Sequence, residues 1–177
     1  MFAGYDTDKG DLHSYTETYE GLFADRLNVW GVLELGIYHG GSLRAFRDYF
    51  PNAEIVGLDI DPQTMIHGEE RIHTICGNVR EPKALLEAAQ YLGSYTLIVD
   101  DASHLPIDQF QALKHLWPFV EKDGYYIIED LDLNRQGAQV LTTCSLILRN
   151  QNVGITLHLG DGRNDDMLVL EKQQRGN

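Results

Sequence analysis

The chain has 177 residues, of which 43% are apolar and 23% are charged, an ordinary balance for one globular domain. Its 27 acidic and 14 basic residues give a net charge of −13, which argues against nucleic acid or a membrane surface as a partner, because both require clustered Lys and Arg. The chain opens without an apolar leader, and no apolar run approaches the roughly 20 residues of a membrane span. Because Cys76 and Cys144 are far apart and in apolar surroundings, we expect a soluble cytoplasmic protein with two reduced core cysteines.

Helical and strand-like segments alternate along the whole chain. The predicted helices cover 14–27, 42–49, 64–70, 82–92, 106 to near 124, and 139–149. The predicted strands cover 29–35, 54–58, 73–76, 95–99, 125–128, 153–159 and 167–170. Because only the turn at 160–164 separates the last two strands, they should pair antiparallel. The pattern predicts an α/β fold with a doubly wound, Rossmann-like, mostly parallel sheet of seven strands in one domain over 1–177.

Acidic side chains and one histidine follow the fourth and fifth predicted strands. Asp101 and His104 lie in IVDDASH, and Glu129 and Asp130 lie in YYIIEDLD. The ends of neighbouring parallel strands meet at one edge of a sheet, so these side chains should converge. Three carboxylates would repel one another without a divalent cation, and Mg²⁺ or Mn²⁺ prefers such oxygen ligands. His104 has the pKa range of a general base, whereas Asp100 should point to the opposite face and make structural hydrogen bonds.

The segment ELGIYHGGS, residues 34–42, follows the first strand and opens a helix. Glycines allow a ligand to approach the backbone, and a helix N-terminus offers free N–H groups to a carboxylate or phosphate. Asp59 ends the second strand, where an acid can accept hydrogen bonds from both hydroxyls of a ribose. A plain turn at the glycines and a capping role for Asp59 are the alternatives.

Together these features resemble the class I methyltransferases that use S-adenosylmethionine, whose sheet has the order 3-2-1-4-5-7-6 with strand 7 antiparallel. Glu34, Gly36, Tyr38, Gly40 and Ser42 match the loop E-L-G-x-Y-x-G-x-S of catechol O-methyltransferases. The resemblance implies that Glu34 faces the methionine amine of the cofactor and that Ser42 faces its carboxylate.

Three further residues complete the predicted cofactor site, namely Asp59, Asn78 and Asp100. The resemblance places Asn78, after the third strand, near the adenine. Many relatives carry an acid where this chain has Asn78, so its adenine contact is the least supported of these assignments.

The acidic motifs most resemble those of the macrolide-sugar O-methyltransferases of the mycinamicin and macrocin type. That group carries D-D-G-S-H and I-E-D-T, and this chain has DDASH at 100–104 and IEDL at 128–131. T-D-K and H-x-Y-T elements also recur here, at 7–9 and 13–16. The resemblance spans roughly 5–172 and implies a metal held by Asp101, Glu129 and Asp130, with His104 as the base.

The acceptor implied by this resemblance is a hydroxyl of a small molecule, such as a sugar or polyol. Some relatives carry a sizeable extra domain, which we do not expect in this chain. Acceptor recognition is therefore expected from loops, from a partner subunit such as a second copy in a homodimer, or from the helical segment at about 1–28. That segment is a candidate lid, although its tyrosines Tyr15 and Tyr19 fit packing against the sheet edge equally well. Two other functions are consistent with the motifs: a hydroxylase-like relative of the cephalosporin hydroxylase type, and a non-catalytic cofactor-binding protein.

Overall fold

The computed structural model describes residues 1–10, 15–160 and 166–174, with all side chains in these ranges except those of 133–138. The helices are α1 (Thr16–Leu22), α2 (Gly41–Tyr49), α3 (Pro82–Leu92), α4 (Pro106–Leu116) and α5 (Leu133–Leu148). The strands are β1 (Gly31–Leu35), β2 (Glu54–Asp59), β3 (Ile72–Cys76), β4 (Tyr95–Asp100), β5 (Val120–Leu131), β6 (Val153–His158) and β7 (Asp166–Lys172). Short 3-10 turns lie at Arg26–Asn28, Pro62–Thr64 and Trp117–Phe119.

The strands form one seven-stranded sheet in the order β3-β2-β1-β4-β5-β7-β6. Strand β7 runs antiparallel to both β5 and β6, and the pairs among β1 to β5 are parallel. The predicted strand order and terminal hairpin are confirmed. A hairpin is the expected connection here because the short loop between β6 and β7 is too small for a crossover.

Both faces of the sheet are covered, as the apolar strands predict. Leu97 and Val99 of β4 pack in a cluster with residues of α1 and α2. Ile98, between them, packs in a second cluster with residues of α3, α4 and α5. The alternation of side chains along one strand thus supplies both layers of the core.

One predicted helix is absent, and three others have different bounds, because α1 ends at Leu22, α4 ends at Leu116 and α5 already begins at Leu133. Residues 65–70 are not helical, because Gly68 has φ +75° and the N–H of Ile66 donates to Thr74 Oγ1 at 3.0 Å instead of to a helical carbonyl. The helix from Pro106 ends at Leu116, and a 3-10 turn containing Pro118 leads directly into β5. Proline inside a helix removes a hydrogen bond and clashes with the preceding turn, so it ends the helix early.

The cysteine prediction is correct for Cys144, which is buried, and wrong for Cys76, which is exposed. Cys76 ends β3, the outermost strand on its side of the sheet, where no further strand covers it. In the described ranges we find no helix with the length and apolarity needed to cross a bilayer.

The carboxyl ends of β1, β4 and β5 lie side by side. Leu35 pairs with Asp100, which pairs with Ile128, and the N–H of Asp101 donates to Leu35 O at 3.0 Å. Gly36 makes this approach feasible, because it has φ +91° and a Cβ there would lie 2.2 Å from Asp101 O. The residues that follow all three strands are therefore brought to one place.

The N-terminal segment, which we define as residues 1–10 and 15–28, packs against α2 on one face of the sheet. The rings of Phe2, Tyr19 and Phe46 meet edge to face, with centroids 5.4–5.6 Å apart. A Cβ on Gly41, the first residue of α2, would lie 2.0 Å from Asp6 O. The segment thus lies directly over the glycine loop and the adjoining strand ends.

Candidate active site

Asp101, His104 and Asp130 form a cluster of ligand atoms beside the ends of β4 and β5. One carboxylate oxygen from each acid and a ring nitrogen of the histidine all lie within 4.8 Å of one another. His104 Nδ1 is 4.0 Å from Asp101 Oδ1 and 4.0 Å from Asp130 Oδ2. Each side chain is partly exposed, which leaves the cluster accessible from a cleft.

Backbone strain is concentrated at this edge of the sheet. Among the described residues, five other than glycine have φ between 50° and 61°, and three of them are Tyr38, His104 and Asp130. A side chain is disfavoured in this left-handed region, so the conformation persists only where surrounding contacts impose it. Strain of this kind is typical of functional sites.

Lys9 is the main cation at the site, and it is 2% exposed. Its ammonium group donates hydrogen bonds to Asp101 Oδ2 and Glu129 Oε2, and it lies 3.4 Å from Glu34 Oε1. Burial alone would lower the pKa of Lys9, but the surrounding carboxylates outweigh that effect and hold its pKa well above the ordinary value. Lys9 therefore stays charged and compensates carboxylates that lie below the cleft.

Glu129, a predicted metal ligand, is fully buried. Its Oε1 accepts a hydrogen bond from Tyr19 OH at 2.6 Å, and its Oε2 accepts one from Lys9. The structure therefore does not place Glu129 in the cluster of Asp101, His104 and Asp130. Its role as a ligand stays a prediction.

Asp130 is held by Tyr15 from the N-terminal segment. Tyr15 OH donates to Asp130 Oδ1 at 2.8 Å and accepts from the Asp130 N–H at 3.2 Å. Burial and the negative charge of Asp130 raise the pKa of the Tyr15 hydroxyl, which therefore stays protonated and able to donate.

Two adjoining cavities lie along the same edge. The larger, of about 850 Å³, is lined by Tyr38, Ser42, the cluster of Asp101, His104 and Asp130, and residues 5–8. The smaller, of about 320 Å³, is lined by Asn78, Val79 and Asp108. Gly36 and Asp59 line both cavities and so mark their junction. Volumes of this size suit a small-molecule ligand.

The glycine loop is fixed by Asp59. Its Oδ2 accepts hydrogen bonds from the N–H groups of Ile37 at 2.7 Å and Tyr38 at 3.3 Å, while its Oδ1 accepts one from Asp61 N–H at 2.9 Å. Gly40 has φ +72° and precedes α2 as its cap. Asp59 therefore organises the loop from inside, as a capping residue does, while its carboxylate also faces both cavities.

Two predicted cofactor residues lie behind the cleft. Glu34 is fully buried and accepts a hydrogen bond from Ser42 Oγ at 2.5 Å, and burial raises its pKa to about 7 against the opposing charge of Lys9. Asp100 is 2% exposed and accepts a hydrogen bond from Tyr126 OH at 3.3 Å. Neither lines either cavity, so their contacts to a cofactor stay predictions.

Sequence patterns alone do not reveal the three residues that hold these carboxylates. Lys9 lies in a short polar stretch without apolar periodicity, and a lysine there is expected to be solvated. The resemblance to T-D-K and H-x-Y-T elements indicates that the region matters but implies no role for Lys9. The sequence predicts a lid or packing role for Tyr15 and Tyr19, because only the folded chain brings them to Asp130 and Glu129.

Comparison with curated proteins finds sugar O-methyltransferases. The chain is 40% identical, over 74% of its length and 36% of the relative, to the 8-demethyl-8-(2-methoxy-alpha-L-rhamnosyl)-tetracenomycin-C 3'-O-methyltransferase of Streptomyces olivaceus. It is 35% identical, over 69% of its length and 32% of the relative, to the mycinamicin VI 2''-O-methyltransferase of Micromonospora griseorubida. No protein-family profile matches the chain.

Solved structures show the same kinship. The MycE methyltransferase of mycinamycin biosynthesis, in complex with Mg, SAH and mycinamycin VI, has a TM-score of 0.77 and 27% identity. The match covers 95% of this chain and 52% of MycE. This chain thus spans about a third of the length of the curated relatives and about half of MycE. Over that length, it belongs to the mycinamicin and macrocin group of class I S-adenosylmethionine-dependent O-methyltransferases.

Proposed function

We propose that this chain is a metal-dependent O-methyltransferase that transfers a methyl group from S-adenosylmethionine to a hydroxyl of a small molecule, namely a sugar or related polyol. The observation that carries the proposal is the cluster of Asp101, His104 and Asp130, which opens into the cavity formed by the glycine loop. Kinship with sugar O-methyltransferases supports it.

The residues of the cluster fit a divalent cation. Two carboxylates would repel one another at this separation, and a cation between them removes that repulsion. Asp101 and Asp130 would hold the ion, and Glu129 is the third predicted ligand. Bound there, Mg²⁺ or Mn²⁺ would supply a Lewis acid that lowers the pKa of the acceptor hydroxyl.

His104 is the proposed general base. Its Nδ1 faces Asp101 and Asp130, so we assign to Nε2 the task of accepting the hydroxyl proton. The acceptor oxygen takes the methyl group, its proton goes to Nε2, and the donor leaves as a neutral thioether.

The two cavities fit the methyl donor. Gly36, Tyr38 and Ser42 line the side of the larger cavity that adjoins α2, whose N-terminal N–H groups suit a carboxylate. Asp59, at the junction, suits ribose hydroxyls, and Asn78 lies in the smaller cavity, where adenine would bind. Alignment of donor and acceptor can contribute up to roughly 7–11 kcal/mol to catalysis.

The acidic charge of the chain supports a neutral small-molecule acceptor over nucleic acid or a membrane surface. A homodimer is a further proposal, and sedimentation of the full chain tests it.

Methyl transfer from labelled S-adenosylmethionine tests the function directly. The acceptors are methyl rhamnoside, other deoxyhexoside diols and catechol, assayed with EDTA and after Mg²⁺ or Mn²⁺ is restored. We expect metal-dependent methylation of at least one sugar diol. Tight SAH binding without methylation of any acceptor would favour the cofactor-binding protein, and an oxygenated product would favour the hydroxylase-like enzyme.

A further inference from the structure

We propose that Lys9 and Tyr15 are positioning residues that orient the two carboxylates of the metal site, so that metal binding and docking of the N-terminal segment are coupled. The proposal rests on the proposed function and deepens it, because it assigns to the segment a role in the site itself.

The two carboxylates of the cluster are held in the same way. Asp101 accepts a hydrogen bond from Lys9 on Oδ2, and its Oδ1 lies 4.0 Å from His104 Nδ1. Asp130 accepts one from Tyr15 on Oδ1 at 2.8 Å, and its Oδ2 lies 4.0 Å from the same nitrogen. In each case one oxygen is fixed by the N-terminal segment, and this fixes the direction in which the other oxygen points.

This arrangement has a known effect on metal sites. A carboxylate that keeps one oxygen in a hydrogen bond needs less ordering when its other oxygen binds an ion. Partners of this kind typically contribute about 10–100-fold to metal affinity. Lys9 and Tyr15 stand in that relation to Asp101 and Asp130.

Lys9 also settles the charge around the site. Besides Asp101, Lys9 forms ion pairs with the fully buried Glu129 and Glu34, whose charges would otherwise repel one another. Tyr19 holds the second oxygen of Glu129. All three predicted metal ligands therefore accept a hydrogen bond from the N-terminal segment.

The segment is anchored well enough for this role. Phe2, Tyr15 and Tyr19 are each at most 4% exposed and pack in the apolar cluster that contains Phe46. Coupling between two equilibria is reciprocal, so an ion that needs the docked segment must in turn stabilise it. Metal should therefore slow amide exchange in residues 15–28.

The test measures Mn²⁺ affinity by electron paramagnetic resonance and SAH affinity by calorimetry on the full chain. Tyr15→Phe removes only the hydroxyl that holds Asp130. We expect Mn²⁺ affinity to fall about tenfold while SAH affinity stays within about twofold. The matched control is Tyr91→Phe. Tyr91 lies on α3, outside the site, and its hydroxyl is hydrogen-bonded to His73 of β3, so this change should alter neither affinity.

Lys9→Met alone leaves buried carboxylates without a cation and so threatens folding. The double variant Lys9→Met/Glu129→Gln removes both charges and is compared with Glu129→Gln alone, which isolates the effect of Lys9. We expect the double variant to bind Mn²⁺ about tenfold more weakly than the single one.

Wild-type Mn²⁺ affinity in Tyr15→Phe, or equal affinities in the double variant and Glu129→Gln, would overturn the assignment of that residue. Equal losses of Mn²⁺ and SAH affinity would reduce the role to general stability and overturn it too. Amide exchange rates in residues 15–28 that do not change when Mn²⁺ is added would overturn the coupling. Failure of the wild-type chain to bind Mn²⁺ would instead overturn the proposed function.

Discussion

Asp100 and Asp101 are neighbours in the chain, yet they lie in opposite electrostatic surroundings. Asp100 faces the layer of α3, α4 and α5, where Tyr126 donates to it and burial raises its pKa to about 7. Asp101 faces the N-terminal segment, where it meets Lys9 and lies near His104. The contrast shows that two adjacent carboxylates at one strand end can differ in their partners and in access to the cleft, since Asp101 lines the larger cavity and Asp100 does not.

The largest effect should separate these two neighbours. Asp101→Asn removes a carboxylate of the metal cluster, so metal binding and methyl transfer should be lost together, with turnover reduced about 10³-fold or more. Asp100→Asn preserves shape and can still accept from Tyr126, so metal binding should be retained and turnover should fall far less than in Asp101→Asn. Labelled methyl transfer and Mn²⁺ titration measure both. Metal-dependent turnover retained in Asp101→Asn would remove Asp101 from the ligand set.

His104 lies beside Asp101 and not beside Asp100, and its substitution should have the next largest effect. His104→Ala should lower methyl transfer about 10²–10⁴-fold, because a positioned base contributes that much, while SAH binding stays unchanged. The exposed His67 gives a control substitution, His67→Ala, that should leave the rate intact. A wild-type rate in His104→Ala would show that another group takes the proton.

Gly36 tests the backbone contact that brings Asp101 to its place. Gly36→Ala would put a Cβ 2.2 Å from Asp101 O at φ +91°, so we expect unfolding to become easier by about 3 kcal/mol or more. Gly93→Ala also has positive φ but meets nothing within 4 Å, so it should destabilise by only about 1 kcal/mol. Urea unfolding compares them, and equal losses would mean that the close approach is unimportant.

The last prediction concerns the pH dependence of the stability that Asp100 contributes. Its pKa is higher in the folded chain than the ordinary 3.8, so the folded state binds the proton more tightly. Its contribution to stability is therefore full below about pH 4 and declines as the pH rises toward 7. Asp100→Asn should consequently gain stability relative to the wild type as the pH rises from 5 to 8. Urea midpoints that shift in parallel for both proteins across that range would contradict this assignment.

Local patterns carried most of the fold. The apolar runs of the parallel strands, Pro82 at the start of α3 and the turn before β7 are signals that act over a few residues, and each led to the observed element. The errors lie where distant contacts decide. The side chain of Thr74 accepts a hydrogen bond from the backbone N–H of Ile66, which prevents the predicted helix. Pro118 ends α4 although the apolar spacing continues after Leu116.

The site was predictable to the extent that strand ends reveal it. Asp101, His104 and Asp130 do converge, because parallel strands end at one edge. The engagement of Glu129 with Lys9 was beyond the sequence, since it depends on a contact across 120 residues. Burial of a lysine is rare enough that composition argues against it.

The left-handed backbone at Tyr38, His104 and Asp130 sets stability against the proposed function. Glycine would relieve about 1 kcal/mol of strain at each position, yet glycine at 104 or 130 would delete the proposed base or a proposed ligand. Under selection for thermal stability alone, these residues should therefore be among the first to be replaced. A library selected for thermal tolerance, with no demand for turnover, would accumulate glycine or asparagine there. The selected proteins would be more stable but would lack the proposed methyl-transfer activity.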